Sequence, residues 1–181
     1  MKNLAGTQTE KNLRAALAGE SQARNNYTYY TDIAKMEGNL EAAEFFEKTA
    51  ENERFHAKAW YKLLNNDALP DTIGCLERAI KGENFEQTSM YPTFAKTAKE
   101  EGLDQIATLF NEIAKIEKSH EEQAKLILEN IKNKNKDGYE ALELQTDMIC
   151  VYCGFEFHED DNLQQCPVCE KPSTAFAHKM N

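Results

Sequence analysis

The chain has 181 residues, of which 41% are apolar and 29% charged, enough for one ordinary core and a small appendage. Its formal net charge of −10 argues against nucleic acid and anionic membranes as partners. With 8 Gly and 4 Pro an all-β fold is disfavoured, and no apolar run approaches the roughly 20 residues that span a bilayer. The first residues, Met-Lys-Asn-Leu-Ala-Gly-Thr, lack an apolar signal core, so the expected location is the cytoplasm.

Thr7-x-x-Glu10 is a capping-box pattern, and Leu13, Leu17, Tyr27, Tyr30 and Ile33 continue a helix to about Met36. Glu37-Gly38-Asn39 ends it. A second helix is predicted from about Leu40 to Leu64, with Phe45, Phe46, Thr49, Ala50, Glu53, His56 and Trp60 at helical intervals. Residues 65–71 read as a loop. A third helix starts near Asp71 or Thr72, and Pro92 inside it predicts a kink near Tyr91. It ends at Glu101-Gly102, and a fourth helix covers about Leu103 to Lys132. The aromatic residues Phe45, Phe46, Phe55, Trp60, Phe94 and Phe110 are expected in the core, and Cys75 is expected to be a small buried or loop side chain. Residues 135–146 read as a linker. The predicted fold class is mainly α: a four-helix bundle over 1–134, then a small metal-knuckle β domain over 147–181.

The helical part is a duplication. A shift of 64 places Glu37-Gly38 on Glu101-Gly102, Phe46 on Phe110, Glu53 on Glu117 and His56 on His120. A shift of 63 places Gly19-Glu20 on Gly82-Glu83, so one residue is inserted between. Self-similarity at a fixed offset marks a repeated unit, here two helices joined at a Gly turn.

The repeat carries chemistry. Glu53-x-x-His56 and Glu117-x-x-His120 each place two ligand types on one helix face. A single such pair is ordinarily solvated, but here each follows a Gly-Glu carboxylate by 33 or 34 residues. Glu20 lies 18 residues before the turn at Gly38 and Glu53 lies 15 after it, nearly the same height on antiparallel helices. Carboxylates gathered at one level need compensation, and two divalent cations supply it. A Glu from each of two helices and a Glu-x-x-His from each of the others is the ferritin-like di-metal pattern, and oxygen-rich ligands suit iron or manganese. Glu86 has no counterpart, since the repeat puts Ala23 there; it is either a labile extra ligand or a solvated acid. Tyr27 and Tyr91, two turns beyond Glu20 and Glu83, are either hydrogen-bond donors to a ligand or core side chains.

Beyond residue 147, Cys150-x-x-Cys153 and Cys166-x-x-Cys169 form a strong tetrahedral four-thiolate signal. The pairs alone leave zinc and iron open. Gly154, with Tyr152, Phe155 and Phe157 as shielding, favours iron, as does the neighbouring redox-capable site. His158 and His178 read as surface residues. Roughly 35 residues cannot hold a sufficient core, so the metal must organise them.

Together these stretches resemble rubrerythrins over nearly the whole chain. They are Gly19-Glu20 through Tyr27, Glu53 through His56, Gly82-Glu83 through Glu86 with Met90-Tyr91-Pro92, Glu117 through His120, and the two cysteine pairs. The resemblance implies a ferritin-like four-helix bundle with a non-haem di-iron centre, then a rubredoxin-like domain with one iron on four cysteines. It implies Glu20, Glu53, Glu83, Glu117 and His120 as di-iron ligands, with Glu53 and Glu117 bridging. His56 and Glu86 would alternate on one iron, and Tyr27 and Tyr91 would donate hydrogen bonds. It also implies a cytoplasmic homodimer. Glu170 departs from the small residue usual after the second cysteine pair.

The function so implied is a peroxidase reducing hydrogen peroxide to water, fed from NAD(P)H through a separate reductase or rubredoxin. No Gly-x-Gly-x-x-Gly follows a strand, so the chain is not expected to bind the nicotinamide itself. Two rivals remain: a ferroxidase or iron store on the same helices, and a zinc ribbon that recruits a partner.

Overall fold

A computed structural model describes residues 4–133 and 147–179; the expected linker 135–146 lies outside the described residues. The chain is mainly α with a small C-terminal antiparallel sheet, and it divides into two compact units, Met1–Leu69 and Pro70–Asn181. Among the described residues no helix is long and apolar enough to cross a membrane.

The first unit is a helical hairpin of α1 (Gln8–Met36) and α2 (Leu40–Leu64). Thr7 caps α1 by accepting from Glu10 N–H at 3.1 Å, while the Glu10 carboxylate reaches back past the cap to Gly6 N–H at 2.8 Å. The second unit holds α3 (Thr72–Phe85), a π-helical segment (Glu86–Met90), α4 (Tyr91–Glu100) and α5 (Asp104–Asn133), with α5 packed against the three before it. Asp71 opens α3 by accepting from Gly74 N–H at 2.8 Å.

Both hairpins turn the same way. Gly38 and Gly102 adopt φ of +76° and +78°, a region glycine enters without steric penalty. Asn39 N–H donates to Ala34 at 2.8 Å, and Leu103 N–H donates to Ala98 at 2.8 Å. The same carbonyl closes each helix end, the 6→1 bond of a glycine-terminated helix.

Small residues line each seam. Ala34 and Ala43 are buried in the first hairpin, and their repeat partners Ala98 and Ala107 are buried in the second. This corrects the expectation for the aromatic residues. Phe45, Phe55 and Phe94 are 59%, 54% and 44% exposed, while Phe46, Trp60 and Phe110 are half-buried. A two-helix seam lined by alanines draws the helices close and leaves rings off that line outside it. Cys75 is likewise exposed, on α3, and not buried or in a loop.

Pro92 was expected to kink its helix. The chain widens into a π segment just before it, and Tyr91 N–H donates to the Glu86 carbonyl. A π turn accommodates one extra residue without ending the helix. The repeat places the insertion here, because the offset is 63 at Glu20/Glu83 and 64 at Tyr27/Tyr91.

The C-terminal part is a three-stranded antiparallel sheet in the order β2 (Glu156–Phe157), β1 (Met148–Cys150), β3 (Phe176–His178). Met148 pairs with Phe157 on one side and His178 on the other. Its core is Cys150, Cys166 and Ala175, flanked by Phe155, Val168 and Phe176.

Asp71→Ala should cost about 1 kcal/mol of stability by orphaning the first N–H groups of α3. Urea unfolding followed by far-UV circular dichroism measures it, and Asp71→Asn, an equivalent cap, should restore the midpoint.

Candidate metal centres

In the first unit Glu20, Glu53 and His56 each bring one ligand atom within 4.8 Å of the others, and in the second Glu83, Glu117 and His120 do the same. The triads are built alike. His56 Nδ1 lies 2.7 Å from Glu53 and 3.8 Å from Glu20; His120 Nδ1 lies 2.8 Å from Glu117 and 4.0 Å from Glu83. The short pair in each case is the i,i+3 spacing of one helix, and the long one crosses the hairpin seam. Behind them Tyr27 and Phe46 stack with ring centroids 6.0 Å apart, and Tyr91 and Phe110 repeat the 6.0 Å separation.

The second triad shows what the cluster lacks. Burial raises the pKa of the Glu83 carboxyl, and the neighbouring Glu117 raises it further through a shared hydrogen bond and its charge. Glu86 adds a smaller push. Its ligand atoms do not join the triad; it opens the π segment instead. Burial also raises the Tyr91 phenol, and the charges of Glu117, Glu86 and Glu83 add to the effect, so the phenol stays protonated and able to donate. Carboxylates pressed into sharing a proton are suited to a cation. With one imidazole to two carboxylates per triad, the donor set fits iron.

Cys150, Cys153, Cys166 and Cys169 bring their sulfurs within 4.8 Å of one another, with Cys150 and Cys169 at 3.6 Å and Cys153 and Cys166 at 3.5 Å. Burial raises the thiols of Cys153 and Cys169. Cys150 is also pushed up by burial, but the N–H groups of Cys153 and Tyr152 and the adjoining thiols outweigh it and lower it. The Phe155 and Lys171 N–H groups reach Cys153 and Cys169 in the same way, so the two loops are equivalent. Four sulfurs converging under backbone N–H groups fit a tetrahedral thiolate-bound metal. Gly154 turns the first loop at φ +77°, and Glu170 turns the second at φ +58°. His158 and His178 are exposed, as expected.

Within the second unit the first cysteine loop abuts α5. A Cβ placed on Gly154 would stand 3.1 Å from His120 Nε2 and 3.3 Å from Ile116 Cγ2, so a side chain here would crowd both, and the φ of +77° favours glycine as well. Beside it Ser119 Oγ donates to Glu156, which also pairs with Lys179 Nζ at 2.6 Å, and Gln123 Nε2 donates to Ser119 at 3.1 Å. The sequence reading missed this group, and missed Glu121 with Asn84 and Gln87. The repeat carried a signal for them: Ala57 stands opposite Glu121 and Phe55 opposite Ser119, polar residues where the first copy is apolar.

With no metal bound, Glu83 destabilises the fold. Its raised pKa means the native chain holds a proton that the unfolded chain has lost, so stability falls as pH rises from the ordinary carboxylate range through the raised value. The chelator-treated chain should therefore lose stability relative to its Glu83→Gln variant as pH rises from 5 to 7. Glu83→Gln should raise its midpoint at pH 7 and flatten the pH dependence, checked by calorimetry.

A rubrerythrin family profile matches residues 11–128. Rubrerythrin-1 of Clostridium acetobutylicum is 42% identical, covering 97% of this chain and 96% of its own. The rubrerythrins of Porphyromonas gingivalis and Nitratidesulfovibrio vulgaris are each 38% identical, covering 97% of this chain and 92% and 96% of theirs. The carboxylate–imidazole triads and the four thiolates match the cofactors of that family, a non-haem di-iron centre and a single iron on four cysteines. The chain belongs to the rubrerythrin family of oxidoreductases.

Proposed function

We propose that the protein is a peroxidase that reduces hydrogen peroxide to two waters, consuming two electrons and two protons. One observation carries the reading: the cysteine loop lies against His120, with the Gly154 backbone close enough that a Cβ would stand 3.1 Å from Nε2. A ferroxidase or iron store has no use for a thiolate site in contact with a candidate ligand; a peroxidase resupplied with electrons does.

In this reading Glu20, Glu53, His56, Glu83, Glu86, Glu117 and His120 hold the di-iron centre, and Cys150, Cys153, Cys166 and Cys169 hold the single iron. When bound, the iron pair supplies electrons and Lewis acidity for O–O cleavage, and the thiolate-bound iron is a one-electron carrier. Glu53 and Glu117 would be the carboxylates shared by the pair, the role the family resemblance implies; with side chains 16% and 15% exposed they are the most enclosed of each triad. His56 and Glu86 are the exchangeable members. The Tyr91 phenol, kept protonated by burial and the nearby carboxylates, would be a hydrogen-bond donor beside the centre, and Tyr27 would be its counterpart donor in the first hairpin. Ser119, Gln123, Glu156 and Lys179 hold the cysteine loop in place. The protein works as a cytoplasmic homodimer, and its electrons come from NAD(P)H through a separate reductase or rubredoxin.

The test is to reduce the full-length protein without oxygen, then mix it separately with hydrogen peroxide and with dioxygen. The thiolate-bound iron's visible absorption should return rapidly with peroxide and slowly with dioxygen. Faster return with dioxygen would favour the ferroxidase, and no such band at the outset would mean zinc on the cysteines. Gly154→Ala should slow the return with peroxide while leaving the oxidised band unchanged, because the added methyl crowds His120 and Ile116 and strains the left-handed turn.

A further inference from the structure

Glu121 is the charged residue that the described part of the chain buries, at 3% exposure. Such a group is costly unless its lone pairs are met. Asn84 Nδ2 donates to its two oxygens at 3.1 and 3.3 Å, Gln87 Nε2 donates at 2.6 Å, and Lys125 Nζ lies 2.5 Å away. Lys125 is one turn along the same helix. Asn84 and Gln87 belong to the other side of the seam.

Their positions are the point. Asn84 follows Glu83 at the end of α3, Gln87 follows Glu86 inside the π segment, and Glu121 follows His120 on α5. One carboxylate therefore grips both sides of the α-to-π junction, and every residue it joins across the seam adjoins a proposed ligand. A π turn is the rarer helix and occurs mostly as a single turn inside an α-helix, so its position along the chain sets the register of the side chains around it. A shift of the insertion by one position would swing an affected side chain by roughly 100° about the helix axis. The first unit has none of this. The repeat places Ala57 opposite Glu121, Ser21 opposite Asn84, Arg24 opposite Gln87 and Ala23 opposite Glu86, and α1 runs through as plain α-helix.

The geometry points to Glu121 as a positioning residue for the second half of the metal centre: it fixes the π turn in register and thereby sets where Glu83 and Glu86 stand relative to Glu117 and His120. The inference rests on reading those four residues as ligands. It does not rest on peroxide being the substrate.

The experiment is an anaerobic Fe(II) titration of full-length Glu121→Gln, Gln87→Ala and Lys125→Ala chains, with the thiolate absorption and the thermal midpoint followed in parallel. Glu121→Gln removes the charge and replaces one of its two acceptor oxygens with a donor, facing the Asn84, Gln87 and Lys125 donors. Gln87→Ala removes only the tie to the π segment and leaves Asn84 joining the helices, so it keeps the test open if the first variant folds poorly. Both should bind Fe(II) at the carboxylate centre about tenfold more weakly, with the thiolate band unchanged, as outer-shell losses do. Lys125→Ala, which breaks only the pair within α5, should keep near wild-type Fe(II) affinity although its midpoint falls. Wild-type Fe(II) affinity in both Gln87→Ala and Glu121→Gln would overturn the proposal. So would an affinity loss in all three variants that merely tracks a lowered midpoint. Weakened Fe(II) binding in a protein that proves inert to peroxide would leave the positioning role standing and sink the peroxidase. A wild-type chain that takes up no Fe(II) at the carboxylates would remove the ligand assignment on which the inference rests.

Discussion

Repulsion between neighbouring carboxylates is the constraint on which the helical part depends. Each hairpin turns two glutamates and an imidazole to the same place, and in the second unit burial, reinforced by Glu117, raises the Glu83 carboxyl. A chain selected for stability alone would put amides or apolar groups there. That the arrangement occurs twice, with distances that agree to about 0.2 Å, marks it as the product of a duplicated ligand set and not of chance surface acidity. The alanine-lined seams serve the same end, because helices that approach closely bring short acidic side chains within reach of one ion.

Much of this was legible because helices obey local rules. The caps at Thr7 and Asp71, the glycine turns and the i,i+3 ligand pairs all act over a few residues, so the pattern in the chain and the geometry coincide. What was not legible depended on partners distant in sequence. Phe45, Phe55 and Phe94 have the right period for a core, but which arc of a helix is covered is settled by the residues on the facing helix. In the chain Glu121 is one acid among several on a charged helix, and the partners that single it out, Asn84 and Gln87, lie 37 and 34 residues away. Pro92 drew attention to the correct place for an incomplete reason. The change of offset from 63 to 64 between Glu83 and Tyr91 was already the mark of an extra residue inside a helix, and the π segment is the form it takes.

The duplication also explains why the two halves are unequal. The inserted residue comes with Glu86 where the first unit has Ala23, and with a buried carboxylate where the first unit has Ala57. One copy has kept the plain α-helix. The other has gained an additional acid and the polar ties around it. Symmetry supplies the matched triads, and its local breaking supplies the one carboxylate that stands apart from them.

The two cysteine loops, near-equivalent in their hydrogen bonds, place different residues at the left-handed turn that follows each second cysteine. Gly154 is bare and lies against α5, whereas Glu170 takes the same left-handed turn with a full side chain, a conformation that costs an L-residue about 1–2 kcal/mol. A carboxylate-bearing loop could not enter the space that admits Gly154 without meeting His120 and Ile116. The small domain is therefore keyed. Despite its internal pseudo-symmetry it seats against the helix one way round, with the glycine loop inward and the glutamate loop in solvent.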